Sequence, residues 1–518
     1  MSNKSVAKAA GLIAAASLLS KMLGFLREAL ISGFFGKSFV TDAYLAGFAV
    51  PDLFYNLLVV GALSSAFIPV LSGYLAENKR EEAWEVASAV MNIVVVVMCL
   101  TSSLAFIFAP KIIALYIPDA PLETKVLAAS IMRILLFQPI LLSLSGFSMG
   151  ILNSLKIFAP SALGSVVYVL CVVVFGTILK PYIGIEGFAV GVLIGAMGNF
   201  LIQVPALYKV GFKYSFTLNF RHPGVRKIAV LAFPIILSFA LGQIPVVVYQ
   251  NLASSLPPGS LSSFMFAYRL QQLPIGIFAY SVGLAVFPTL TEAISLNRWQ
   301  VFRDSFSLAL RSIMFITIPI SVGMMILARP LISVVYQHGV FTYRDTLSTV
   351  PSMVFFAFGI VEQSASVVLP RTFYALHDTW TPVLLGVITL VVNILLMNIF
   401  IKPLAQGGLA LAISLSGIVN MFLLLYCLKR KIGLIDGRRI LTSLSKILFA
   451  STVMGLGVWT VFHFTSKFAG INFVGSLFNL VVGLITGTAI YVLLAVILRM
   501  QEMNFLVKIV RRRAAGNQ

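Results

Sequence analysis

Residues Gly11–Phe35 read GLIAAASLLSKMLGFLREALISGFF, 25 residues interrupted by only three charges, Lys21, Arg27 and Glu28. About 20 apolar residues cross a bilayer as a helix, so this segment predicts a first membrane span. It lacks the small-residue cleavage site and polar mature sequence of a secretory signal, so the helix is expected to stay. The same texture runs through all 518 residues, which are 59% hydrophobic and 10% charged with mean hydropathy +1.00. Soluble domains carry roughly 25% charged residues. The composition excludes a water-soluble enzyme and predicts an all-α polytopic membrane protein.

Apolar stretches bounded by charges, Pro and Gly fall near 8–35, 41–74, 83–109, 124–152, 158–179, 186–208, 226–254, 260–294, 303–328, 346–376, 380–401, 407–428, 441–465 and 472–498, about 14 transmembrane helices. The second and eighth are long enough to be tilted or broken near Pro51 and Pro274, because proline lacks the N–H that an interior helical turn needs. An even count puts both termini on one side. Loops on that side hold 22 of the 37 Lys and Arg; the opposite loops hold eight, Lys37, Lys111, Lys125, Lys180, Arg329, Arg344, Lys402 and Lys467. The positive-inside bias therefore places both termini in the cytoplasm. The net charge of +20 reflects these loops and their attraction to anionic membrane lipids rather than nucleic acid. The basic segment Met503–Arg513 reads as a surface helix on such lipid, or equally as a topology anchor.

Leu19–Gly24 (LSKMLG) in the first span resembles Leu237–Gly242 (LSFALG) in the seventh, and Ala66–Leu71 (AFIPVL) resembles Ala285–Leu290 (AVFPTL) at nearly the same offset. Two matches at helix-equivalent places predict duplicated six-helix lobes related by a pseudo-two-fold axis, with spans thirteen and fourteen appended. The expected divisions are 1–215 for the N-lobe, 216–432 for the C-lobe and 433–518 for the last two helices with a basic cytoplasmic tail. Duplicated halves around a central site are transporter architecture.

Charges within spans are costly, on the order of 3 kcal/mol each on insertion scales, so they mark cavities or partners. Lys21 and Glu28 are two helical turns apart on one face, and Ser20 and Arg27 share the adjacent stripe. Gly24 lies between them. Asp52 follows in span two, Arg133 in span four, Arg269 in span eight and Glu362 in span ten. The repeat makes the helix of Arg269 equivalent to span two, so basic groups of both halves are expected to converge on one cavity. Such a cavity suits an anion, and arginine's fork matches phosphate oxygens. The plainer alternative is that Arg27 and Glu28 pair or snorkel structurally. Arg133 is expected either to join the cavity or to pair with Glu28 or Asp52, and Glu362 to be a proton or cation site or a hydrogen-bonded structural group. Catalytic residues, a metal site and a cofactor are not expected: His222, His338, His377 and His463 are scattered, Cys99, Cys171 and Cys427 have no ligand spacing, and no phosphate-cradling glycine loop is present.

Several segments together resemble the MurJ (MviN) family of lipid II flippases. They are Ser20–Ala29 (SKMLGFLREA), Thr41–Tyr44 (TDAY), Pro51–Leu53 (PDL), Gly61–Pro69 (GALSSAFIP), Gly150–Ser154 (GILNS) with Phe158–Pro160, Tyr336–Thr342 (YQHGVFT) and Arg371–Pro382 (RTFYALHDTWTP). The resemblance spans the whole chain. It implies the fold of the multidrug/oligosaccharidyl-lipid/polysaccharide exporter superfamily and a lipid II flippase of the bacterial cytoplasmic membrane. Such a protein moves undecaprenyl-pyrophosphate-linked peptidoglycan precursor from the inner to the outer leaflet by alternating access, with cell-wall synthesis proteins as candidate partners. It also implies that Arg27 and Arg269 hold the pyrophosphate. Lys21 stands where relatives often have arginine, Tyr55 where some have a helix-two arginine, and Asp52 where they have asparagine. Tyr249 and Met397 stand where relatives proposed to couple sodium carry carboxylates, so no sodium site is implied although Asn393 is retained. The alternatives are a flippase for another polyprenyl-pyrophosphate-linked oligosaccharide, and a non-transporting scaffold of the cell-wall machinery. A multidrug antiporter would favour an acidic cavity.

Overall fold

The computed structural model describes residues 3–57, 66–433 and 436–503, and among them every regular element is helical. Gly61–Ser65 of the family-like segment and residues 504–513 of the basic C-terminal stretch lie outside the described residues. Two compact units divide the chain, Met1–Ser262 and Ser263–Gln518. The first holds α1 (Asn3–Phe35), α2 (Phe39–Gly47), α3 (Ala49–Tyr55), α4 (Ile68–Ala76), α5 (Arg80–Tyr116), α6 (Leu122–Leu135), α7 (Gln138–Ser154), α8 (Ala159–Ile183), α9 (Glu186–Leu201), α10 (Val204–Lys209) and α11 (Pro223–Ala253). With α12 (Ser260–Pro274) the chain passes into the second unit. There follow α13 (Tyr280–Ser295), α14 (Trp299–Ile326), α15 (Ala328–Tyr336), α16 (Tyr343–Phe358), α17 (Ile360–Ala375), α18 (Trp380–Ile432), α19 (Gly437–Phe468) and α20 (Phe473–Ile497).

Eleven segments among the described residues are long and apolar enough to cross a membrane. The count of 14 is not reached among them for three reasons: α1 is not one of the eleven, span two is broken, and spans eleven and twelve run together. Span two is broken: α2 ends at Gly47 and α3 begins at Ala49, four to two residues before Pro51, whose missing N–H leaves the helix ladder incomplete there. Spans eleven and twelve appear as one 53-residue helix, α18. A straight helix of that length would run about 80 Å against a hydrocarbon core of about 30 Å. It is not straight. Ala405 has φ 48° and ψ −131°, and Asn393 Nδ2 donates to Ser416 Oγ at 2.8 Å although 23 residues separate them. Along a continuous helix those residues would sit roughly 35 Å apart. The segment is therefore a hairpin of two crossings. Near the other proline expected to interrupt a span, α12 ends at Pro274 and a five-residue π-helix, Ile275–Ala279, joins it to α13.

Local chemistry sets several helix starts. His222 Nδ1 accepts from Gly224 N–H ahead of α11, Thr342 and Asp345 form a reciprocal capping box at α16, and Asn472 accepts from Gly475 N–H at α20. In the first unit Ile31, Tyr44, Ile131, Val172 and Phe188 bury together, joining α1, α2, α6, α8 and α9. The second unit centres on Phe302, Phe306, Phe373, Leu424 and Tyr491, joining α14, α17, α18, α19 and α20. Outward-facing apolar side chains such as Ile107, Leu395, Leu456 and Ile485 are more than half exposed. In water such surfaces would aggregate; they are what a lipid-facing bundle presents.

Candidate functional site

The polar face of α1 forms the heart of the site in the first unit. Arg27 donates from Nε and Nη2 to one oxygen of Glu28, at 3.1 and 2.7 Å. The pair is largely shielded, with side-chain exposures of 20% and 7%. One turn earlier Gly24 faces open space, where an added Cβ would touch nothing. Ser20 Oγ donates to the backbone carbonyl of Ser165 at 3.2 Å, fastening α1 to α8. Lys21 is exposed. Lys21 and Glu28 share a stripe but not an environment, because the packing that buries Ile31 and Tyr44 reaches only the later turns.

The break in span two delivers the second element. On α3, Asp52 and Tyr55 are half-buried one turn apart. Tyr168 of α8 lies within electrostatic reach of Arg27, Asp52 and Tyr55, and Tyr116 of α5 within reach of Asp52 and Tyr249. Arg27 in turn feels Glu28, Tyr44 and Tyr168. The first unit thus gathers Ser20, Arg27, Glu28, Asp52 and Tyr55 with Tyr44, Tyr116, Tyr168 and Tyr249, of which the sequence named Tyr44 only within a family-like segment, Tyr249 only as a replaced carboxylate, and the other two not at all. No spacing pattern could have found them, since Tyr44, Tyr116, Tyr168 and Tyr249 come from four different helices.

Within this group Arg27 stands with Glu28 and Asp52, while Lys21, on the same polar face of α1, is exposed apart from them. Arginine's charge is already engaged by a neighbour whose burial would be costly without it. The guanidinium and the neighbouring tyrosine hydroxyls are donors of the kind that an anionic oxygen accepts from.

Other expected residues are placed as follows. Arg133 meets the ring of Phe106 at 5.5 Å and donates weakly to its carbonyl at 3.3 Å. Among the described residues it has no ion pair with Glu28 or Asp52, and its contacts are with Phe106 of α5. In the second unit Arg269 is half-buried on α12. Glu362 is 3% exposed on α17, its carboxyl group packed against Gly417 of α18. A further device in the first unit escaped the sequence reading. Asp42 accepts from Gly259 N–H at 2.6 Å and from Ser262 N–H at 2.7 Å, securing the turn after α11.

The chain resembles known proteins along nearly its whole length. A family model described as "Lipid II flippase MurJ" matches residues 31–502. The probable lipid II flippase MurJ of Buchnera aphidicola subsp. Acyrthosiphon pisum is 28% identical, covering 95% of this chain and 97% of that protein. The corresponding protein of Treponema pallidum is 29% identical over 90% of each. Among solved structures, a lipid II flippase MurJ in an inward closed conformation aligns with TM-score 0.79 at 29% identity, covering 94% of this chain and 98% of that one. An inward-facing multidrug transporter of the MATE family aligns with TM-score 0.67 at 15% identity, a likeness of fold alone. With the helical membrane architecture and a family match spanning both units, this chain belongs to the MurJ lipid II flippase family.

Proposed function

We propose that this multi-pass membrane protein moves lipid II, the undecaprenyl-pyrophosphate-linked disaccharide-pentapeptide, from the inner to the outer leaflet of the bacterial cytoplasmic membrane. It does so by alternating access and performs no covalent chemistry on its substrate. Lobes 1–215 and 216–432 rock about the headgroup while the polyprenyl tail stays in lipid beside the helices of 433–518. Both termini lie in the cytoplasm, as the loop charges favour. Lys21, Arg27 and Arg269 neutralise the pyrophosphate, with Ser20, Glu28, Asp52 and Tyr55 around it. Anionic lipid at the basic loops and proteins of cell-wall synthesis are the further partners.

The observation that carries this reading is the shielded Arg27–Glu28 pair beside the open face of Gly24. A buried arginine on a span that faces open space marks a substrate path better than a structural strut. The same pairing also suits the scaffold alternative, in which the ion pair is purely structural, so the test must separate them. Purified protein would be titrated with lipid II and with an uncharged polyprenyl lipid, in wild type and in Arg27→Ala/Arg269→Ala. Preference for lipid II that disappears in the variant supports the site, and reconstituted flipping should fall with it. Equal binding of both lipids by both proteins would sink the assignment and favour the scaffold.

A further inference from the structure

In the second unit, the end of the bundle where α19 starts and α20 stops holds a cavity of about 400 Å³. Five basic side chains line it: Arg311, Arg438, Arg439, Lys446 and Arg499. Only Asp436 and Glu502 oppose them among its lining residues. Glu502 is consumed internally, since it accepts from Arg311 Nη1 at 2.8 Å and from Ser443 Oγ at 2.9 Å. Asp436 is engaged by Arg439 at 3.2 Å. Lys446 donates to the Leu498 carbonyl at the end of α20, 2.9 Å away, and no carboxylate meets it among the described residues. Asp304 also meets Arg439, at 3.4 Å, so the five basic groups stand against three carboxylates and the wall keeps a surplus of about two positive charges.

The surplus violates the usual helix rules. Arg438 and Arg439 sit in the first turn of α19, the positive end of the helix dipole, where the N-cap Asp436 makes no side-chain cap hydrogen bond and the turn itself holds no acidic residue. Arg499 follows α20 with φ 48°, a left-handed position that glycine would occupy without strain. Arg311 is 8% exposed, yet its Nε has no hydrogen-bond partner among the described residues. Arg311 and Arg439 have carboxylate partners, whereas Arg438, Lys446 and Arg499 meet none among the described residues, and local rules broken together in this way are characteristic of a binding site.

We propose that this cavity binds the phosphate of an anionic bilayer phospholipid, a site separate from the polar group of α1. Arg438, Lys446 and Arg499 contact the phosphodiester, and the Arg311–Glu502 pair holds the floor rigid. A lipid rather than a free anion is favoured by what borders the cavity. Leu441, Val496 and Ile497 are 67%, 59% and 62% exposed on the same helix ends, a surface fit for acyl chains. The bound lipid would tie α14, α19 and α20 together at that end.

The test uses the full chain in neutral detergent, titrated with phosphatidylglycerol, with phosphatidylcholine of the same chain length and with inorganic phosphate, read by thermal shift and by lipid retained after washing. Wild type should bind phosphatidylglycerol about tenfold or more tighter than phosphatidylcholine, as expected for charge-assisted contacts. Arg438→Gln/Arg499→Gln should lose that preference, while Arg221→Gln/Arg226→Gln, on a basic surface of the first unit, keeps it. Should the first pair fold poorly, Arg438→Gln alone, on an exposed side chain, carries the same test. Equal affinity for both lipids, or equal loss in both variant pairs, would overturn the proposal as diffuse surface charge. Inorganic phosphate matching phosphatidylglycerol would overturn the lipid assignment in favour of a small-anion site.

Discussion

Arg27 spends two of its N–H groups on a single oxygen of the residue that follows it, Glu28, and both side chains lie within the protein rather than at its edge. Removing the cation of such a pair leaves a shielded carboxylate less well compensated. Arg27→Ala is expected to lower stability by about 2–4 kcal/mol, because a shielded carboxylate loses its cation. Arg27→Ala/Glu28→Gln should recover most of that stability in thermal melts while leaving lipid II binding lost. If the double variant also regains binding, Arg27 is a structural residue and the pyrophosphate role fails.

The turn after α11 depends on Asp42 and on a glycine. Gly259 has φ +87°, and a Cβ there would come within 2.6 Å of Lys37 Cγ and 2.8 Å of its carbonyl oxygen. Gly259→Ala should therefore cost about 1–3 kcal/mol from backbone strain alone. Asp42→Asn, which keeps the shape but leaves one acceptor for two N–H groups, should cost about 1–2 kcal/mol. Melting of each purified variant measures both, and unchanged melting would show that the turn is not held this way.

Glu362 and Gly417 occupy the same space limit from two sides. A methyl group at Gly417 would fall on the Glu362 carboxyl group, so Gly417→Ala should destabilise by about 1–3 kcal/mol through overpacking. Glu362→Ala in the same chain should remove most of that penalty. A double-mutant cycle with no coupling would contradict the close packing.

Outside the spans, Asp378 gives a pH signature. Desolvation opposes its charge, but Lys431 at 2.6 Å and the Thr381 N–H and hydroxyl outweigh it and hold its carboxyl at about 2, below the usual aspartate value. A carboxylate whose pKa is depressed on folding stabilises the protein above its unfolded value near 4 and loses that contribution as pH falls toward 2. Lys431→Met should lower stability at pH 7 by up to about 1 kcal/mol, the range of a partly exposed pair. The gap between wild type and variant should narrow steadily from pH 4 downward. A gap independent of pH would assign the effect to packing of the lysine stem.

The membrane-embedded helical class and the prolines that interrupt spans two and eight were legible in the amino-acid sequence. Both follow from local chemistry: apolar length decides what enters a bilayer, and a missing N–H breaks a ladder wherever it falls. Lys21, Arg27, Glu28 and Asp52 were legible for the same reason, since a charge in an apolar run is conspicuous without any neighbour being known. What those charges do was not. That Arg133 rests on Phe106, that Asn393 reaches Ser416, and that Tyr168 approaches Asp52 are distances between residues on separate turns or helices. The basic cavity of Arg438 and Arg499 is of the same kind, because hydropathy records what each segment is worth in lipid, whereas only three-dimensional packing decides which charges meet and which are left without a partner.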